Sequence, residues 1–176
     1  TQQFPGYKKT ESGLYYKFYN NNTTAPKPNQ TDVMKVAMTC YLHDSVYFDF
    51  QKTESEVYAQ LKESVFPADL NEAYTMMHLG DSASFYIKAD SVAIKYYDKN
   101  PEEVGLKPED YFRYEVKLLE IKTLEEFQAE IERLNKAMCE HARQEFNDYV
   151  ETNLVGVAPE SCGVYVIPME PGKGPY

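Results

Sequence analysis

Apolar and polar positions recur along this chain with two periods, and the change between them falls near Thr123. Across residues 32–42, Val33, Lys35, Ala37, Thr39 and Tyr41 alternate with Met34, Val36, Met38, Cys40 and Leu42, the two-residue beat of a strand with one face in a core. His43, Asp44 and Ser45 punctuate the pattern as a tight turn, so that residues 46–50 can pair back on the same strand. Residues 14–19, introduced by Glu11, Ser12 and Gly13, are a Tyr-rich β segment; 82–87 and 111–121 alternate as strands, and 57–61 fits a short edge strand. Residues 20–31, rich in Asn, Thr and Pro, read as a loop, and 88–110 as a long polar connection. Ahead of the closing strand, helical spacing is confined to residues 67–79. There Leu70, Ala73, Tyr74, Met77 and His78 share a face, Pro67 suits the first turn and Gly80 marks the stop.

The expected order is four strands, one short helix, a strand, a long loop and a last strand. Hairpins and loops rather than helices join the strands, which predicts an antiparallel sheet with its helix packed on one face, an α+β architecture. From Thr123, with Glu126 three residues on in a capping-box pattern, Leu124, Phe127, Ile131, Leu134, Met138 and His141 follow three-four spacing. Phe146 and Tyr149 extend this stripe after a phase slip. The pattern predicts a long amphipathic helix over residues 123–154, whose apolar face can dock on its own sheet, connect to another domain or self-associate with a second helix. Two heptads are too few to define a coiled coil. In residues 155–176, Glu160, Ser161, Cys162, Gly163, Val164, Tyr165 and Val166 echo Glu11, Ser12, Gly13, Leu14, Tyr15 and Tyr16. Either a second copy of the domain begins there or the tail adds a strand to the sheet. Gly172, Lys173 and Gly174 lack the spacing and the following helix of a phosphate loop.

Composition narrows the chemistry. Among 176 residues, 28 Asp and Glu against 18 Lys and Arg give a net charge of −10. With no basic run to offset it, a nucleic-acid backbone or an anionic membrane face is repelled. No apolar run reaches the roughly 20 residues of a transmembrane helix, and Thr1 to Phe4 hold neither an initiator Met nor a signal-peptide core, as expected of a processed or cut N-terminus. Cys40, Cys139 and Cys162 stand in three unrelated contexts, which fits free thiols rather than a disulfide framework. Cys139 and His141 have no second ligand pair nearby, so a helix face explains them better than a metal. No metal and no cofactor is expected. The 16 Tyr and 9 Phe, with no Trp, suit half-buried sheet surfaces first and ligand contacts second. Asn21, Asn22 and Asn29 each head an Asn-x-Thr pattern, which matters only in a glycosylating cell.

Three stretches, in the right order and across residues 11–121, together resemble the FKBP-type peptidyl-prolyl isomerase family. Leu42, His43, Asp44, Ser45, Val46, Tyr47, Phe48 and Asp49 are similar to that family's Leu-x-Asp-Gly-x-x-Phe-Asp hairpin. Val65, Phe66 and Pro67, then the helix, then Leu79, Gly80 and Asp81 are similar to its Val-Ile-Pro-Gly-Trp segment running to a Val-Gly-Glu turn. Tyr114, Glu115, Val116, Lys117, Leu118 and Leu119 resemble its closing strand. The resemblance implies an antiparallel sheet curled around one short helix over residues 11–122, a connector helix over 123–154, and in 155–176 the start of a second FKBP-like unit. It also implies peptidyl-prolyl cis-trans isomerisation of proline-containing polypeptides, by an extracytoplasmic folding factor of the envelope type.

Such a reaction needs neither nucleophile nor cofactor. An X-Pro bond turns slowly because the planar amide must lose its resonance on the way. A pocket of apolar and aromatic side chains can hold the proline ring and favour the twisted, less polar amide, while a backbone N–H fixes the substrate carbonyl. Position by position, the resemblance assigns Phe48 and Asp49 to the paired pocket residues, Val65 and Phe66 to the Val-Ile whose backbone binds substrate, and Tyr114 to a pocket Phe. Leu70 stands where the family has its floor Trp, Met38 at a pocket Tyr, Val57 at an upstream Phe and Ala93 at a loop Tyr, for which Tyr96 or Tyr97 is the available substitute. Taken alone, Phe48 reads as a core aromatic, Asp49 as a turn cap, Phe66 and Leu70 as packing, and His78 as structural. Two functions stay open: an isomerase, or an FKBP-like polypeptide-binding or chaperone module with weakened catalysis. A closed apolar pocket around Phe48, Val65, Phe66 and Tyr114 favours the first; a pocket filled by Met38 or Leu70 favours the second.

Overall fold

The segments with strand period pair into one antiparallel sheet in the computed structural model, which describes residues 3–49 and 57–166. The chain forms two compact units, Thr1–Gln128 and Ala129–Tyr176. In order along the chain, the elements are β1 (Lys8–Lys9), β2 (Tyr15–Asn20), β3 (Val33–Leu42), β4 (Ser45–Asp49), β5 (Val57–Gln60), α1 (Leu70–Met76), β6 (Ser82–Lys88), α2 (Ala89–Tyr97), β7 (Tyr111–Lys122) and α3 (Leu124–Asn153). The sheet runs β1-β2-β6-β7-β3-β4, with β5 also on β3. One edge of β3 pairs with β7 along its whole length, from Val33 opposite Lys122 to Leu42 opposite Phe112. Its other edge is shared, β5 taking Val33 to Val36 and β4 taking Thr39 to Leu42.

Alternation decides which side chains face the core. From β3 these are Met34, Val36, Met38 and Cys40; from β6, Ala83, Phe85 and Ile87; from β7, Phe112, Tyr114, Val116 and Leu118. Ala73, Tyr74 and Met77 of the α1 segment close over them, and Val92 and Ala93 come from α2. The opposite face of the sheet takes part of the Tyr content. Phe4 stacks on Tyr86 with ring centroids 3.8 Å apart and meets Tyr15 and Tyr111 edge-on at 4.9 and 5.1 Å, while the Tyr7 and Ser84 hydroxyls hydrogen-bond at 2.8 Å.

The helical content departs from expectation at two places. The helix expected over residues 67–79 is shorter, because Ala68 takes a left-handed φ of 65° and Asp69 is the N-cap, its carboxylate accepting the Glu72 N–H at 2.9 Å. Its C-cap, Met77, is extended, so Gly80 (φ 87°) belongs to a separate turn in which Asp81 accepts the His78 N–H at 2.8 Å. Residues 88–110 are not a plain connection either: α2 lies inside them and buries Ala89, Val92 and Ala93. Asp90, Ser91 and Lys95 interrupt its nine residues, too short a stretch to display a period of its own. The two-residue β1 also escaped the alternation pattern, and Phe50, expected at the end of β4, lies outside the described residues.

α3 begins with the expected reciprocal cap. Thr123 N–H donates to Glu126 at 2.9 Å and Glu126 N–H to the Thr123 hydroxyl at 3.2 Å. No α3 side chain is buried, and Ile131, Leu134, Met138, Phe146 and Tyr149 stay exposed. Phe127 meets Tyr58 at 5.0 Å in the first unit; in the second, Phe146 meets Tyr165 edge-on at 5.9 Å. Residues 167–176, including Gly172, Lys173 and Gly174, lie outside the described residues.

Candidate functional site

The β3–β4 hairpin carries the first wall of the site. His43 and Asp44 form its turn, with His43 in the left-handed region (φ 47°) and its Nε2 2.8 Å from the Asp110 carboxylate. Pairing runs Leu42 to Ser45 and Tyr41 to Val46, then resumes with Cys40 opposite Phe48, so that Tyr47 is the extra residue of a bulge. A bulge twists its strand and turns consecutive side chains toward one side. Tyr47 and Phe48 accordingly line the same cavity.

That cavity, of about 360 Å³, has three further sources of wall. β7 supplies Phe112 and Tyr114, α2 supplies Val92, Ala93 and Tyr97, and the segment after α2 supplies Lys99, Val104 and Leu106. The Tyr47 ring lies 5.1 Å from that of Phe112. Tyr114 is buried, and its hydroxyl pairs with the Cys40 thiol; burial pushes the Cys40 pKa up to about 12 and raises that of Tyr114 as well. Neither group ionises near neutral pH, so the wall they form stays uncharged.

A second cluster is built on Asp69, whose carboxylate is fully buried. It accepts the Val65 N–H at 2.8 Å, the Glu72 N–H at 2.9 Å, the Tyr96 hydroxyl at 2.9 Å and the Asn71 amide at 3.1 Å. Burial raises its pKa, but the backbone hydrogen bonds from Glu72 and Val65, with those of Asn71 and Tyr96, outweigh it and hold the carboxyl below its ordinary value. The Phe66 ring lies 5.4 Å from that of Tyr96. Among the described residues the Phe66 N–H meets no acceptor, whereas that of Val65 is taken by Asp69.

The candidate residues therefore divide. Phe48, Tyr114 and Tyr97 share the cavity. Phe66, Tyr96 and Leu70 gather at the start of α1 and pack against the core edge, and the Val65 side chain is exposed. Asp49, next to Phe48, accepts the Thr39 hydroxyl at 3.1 Å. Met38 is buried under the Tyr74 hydroxyl, 4.0 Å from its sulfur, and Val57 pairs with Val36 at the sheet edge. Neither lines the cavity. Sequence reasoning missed Tyr47, Val92, Lys99, Val104, Leu106 and Phe112. Phe112 was accessible, since it shares the face of Tyr114 two residues on; Tyr47 needed the bulge and the others needed α2.

Residues 24–119 match the sequence model of the family described as FKBP-type peptidyl-prolyl cis-trans isomerase, more than half of the 176-residue chain. No curated protein sequence matches the chain. Two solved structures share its fold. The crystal structure of FkpA from Escherichia coli superposes with a TM-score of 0.53 at 18% identity, covering 69% of this chain and 54% of that one. The 1.6 Å crystal structure of a peptidyl-prolyl cis-trans isomerase from Pseudomonas syringae pv. tomato str. DC3000 superposes with a TM-score of 0.51 at 18% identity, covering 69% of this chain and 84% of that one. The chain thus spans about half the length of FkpA. At these identities the structural likeness speaks for the fold, and the sequence model speaks for descent: the chain belongs to the FKBP-type peptidyl-prolyl cis-trans isomerase family.

Proposed function

We propose that the first unit is a peptidyl-prolyl cis-trans isomerase that seats an X-Pro segment in the cavity between β4, α2 and β7. The observation that carries this reading is the wall itself, with Tyr47, Phe48, Tyr97, Phe112 and Tyr114 around about 360 Å³ in the region of family match. Isomerisation breaks no covalent bond. It needs a dry surface that suits the twisted amide better than the planar one, and a donor to fix the carbonyl. For the donor we assign the Phe66 N–H, on the segment before α1 and outside the cavity lining, which among the described residues meets no acceptor while Asp69 takes the Val65 N–H; Phe48 holds the ring, and Asp49 steadies the hairpin through Thr39. Exchange spectroscopy of an Ala-Ala-Pro-Phe peptide tests this. The protein should speed interconversion above the thermal rate, and Phe48→Ala with Phe66→Ala should abolish the gain. Exchange at the thermal rate with the folded wild-type chain would refute catalysis.

A second reading is a polypeptide-binding or chaperone module. It is favoured by Ala93, Leu70 and Met38 at positions where the resemblance expects aromatic rings, and by the exposed apolar stripe of α3, which is also suited to self-association. Peptide binding without faster exchange would select it. The envelope-type resemblance further supports an extracytoplasmic location, which cell fractionation would contradict by recovering the protein in the cytoplasm.

A further inference from the structure

Among the ten described residues around the cavity, one carries a charge. Lys99 stands at its edge, with no carboxylate beside it in the described lining. Its position is fixed by the end of α2, where Asp98 takes a left-handed φ of 50° and the Lys99 N–H turns back to the Ala93 carbonyl at 2.9 Å. This closure orients the residue from a helix that itself supplies three wall positions. Lys99 is exposed, and among the described residues no carboxylate forms an ion pair with it. Asp98, Glu102 and Glu103 lie on the same segment, yet none lines the cavity. In a chain of net charge −10, the cavity thus sets a cation, without an ion-pair partner among the described residues, beside an apolar, aromatic wall.

We infer that Lys99 sets substrate choice, making the site prefer X-Pro segments that carry a carboxylate next to the proline. The inference rests on the isomerase cavity proposed above and names the substrate class it takes. The proline ring occupies the aromatic wall, and the flanking carboxylate meets the ammonium at the rim. A lysine stem can also simply cover apolar surface. The two roles differ in what they ask of the charge, and an exposed ion pair of this kind changes affinity by about two- to fivefold.

The test is an NMR titration of the full chain with three capped peptides, Ala-Glu-Pro-Ala, Ala-Gln-Pro-Ala and Ala-Lys-Pro-Ala, and with Ala-Ala-Pro-Glu for the other flank. At low salt one of the two Glu peptides should bind about two- to fivefold more tightly than the Gln peptide, and the Lys peptide more weakly still. The differences should shrink at high salt. Lys99→Met, which keeps the stem, should erase the preference, and Lys99→Glu should invert it. Equal affinities for all four peptides, or a preference that survives in Lys99→Met, would overturn the role of Lys99 and leave the cavity reading intact. No binding of any peptide would overturn the cavity reading and this inference with it.

Discussion

Residues 10–14 and 160–164 take the chain through the same turn. Thr10 N–H donates to the Leu14 carbonyl at 2.9 Å and Gly13 N–H to the Thr10 carbonyl at 3.2 Å; Glu160 N–H donates to Val164 at 2.9 Å and Gly163 N–H to Glu160 at 2.8 Å. Gly13 and Gly163 both hold positive φ, 104° and 80°. After the turn the two regions part. Leu14 is fully buried and Tyr15 opens β2, which pairs with β6. Val164 is 54% exposed, and no strand follows it among the described residues. Side chains mark the difference too. The Thr10 and Ser12 hydroxyls reach Glu72 of α1 at 3.1 and 2.5 Å, while Glu160 and Cys162 stand at the matching places. A turn is written in a few local residues, whereas a strand needs an edge to pair with and a core to enter.

Truncating the residue just past each turn should separate the two regions most strongly. Leu14→Ala should destabilise the first unit by about 2–5 kcal/mol, as buried leucines do. Val164→Ala should change its stability by less than about 0.5 kcal/mol. Urea unfolding followed at core amides such as Leu118 measures both. Comparable losses would mean that the second turn is tied into the same cooperative unit.

Acid should act on the first region, because its turn is linked through Glu72 to the α1 N-terminus that Asp69 caps. The Asp69 carboxyl is held below its ordinary value, so it favours the fold above about pH 4. That contribution is lost as pH falls through its folded value, which makes the first unit less stable in acid. Asp69→Asn should lower stability near neutral pH by about 1–3 kcal/mol, since the Val65, Glu72 and Tyr96 donors lose their ionised acceptor. The same variant should be less pH-sensitive than the parent below pH 4. Parallel acid profiles for the two proteins would remove Asp69 from the account.

Much of the fold was legible because the sheet repeats its instruction at every second residue. Met34, Val36, Met38 and Cys40, or Phe112, Tyr114, Val116 and Leu118, need no context beyond their own strand. Thr123 and Glu126 announced α3 for a similar reason, as both partners of the cap lie within four residues. What stayed hidden depended on contacts distant in sequence. Asp69 becomes informative only when Tyr96, 27 residues on, donates to it. α2 is short, and burial of Val92 and Ala93 reveals its packed face where its own periodicity does not. The site suffered accordingly: Phe48 and Tyr114 could be named from the family pattern, but the wall opposite them belongs to α2 and the segment after it.

The smallest effect concerns the glycines, and it isolates the backbone from packing. A Cβ built on Gly13 comes no closer than 3.8 Å to any neighbour, the Lys9 side chain, and one on Gly163 meets nothing within 4 Å. Neither alanine would be crowded, so each cost is that of a left-handed conformation, about 1–2 kcal/mol. The two substitutions share a backbone turn and differ in the side chains around it and in what the turn supports. Gly13→Ala should lower the stability of the first unit by that amount, moving its unfolding midpoint down, because the strain must be borne for β2 to stay paired with β6. Gly163→Ala should leave the midpoint in place and weaken only its own turn, seen as faster amide exchange at Gly163 and neighbouring residues. If Gly163→Ala moved the first unit's midpoint as far as Gly13→Ala does, the second turn would have to be a working part of the first unit's fold, and the contrast between turn and strand would need a cause other than a missing edge.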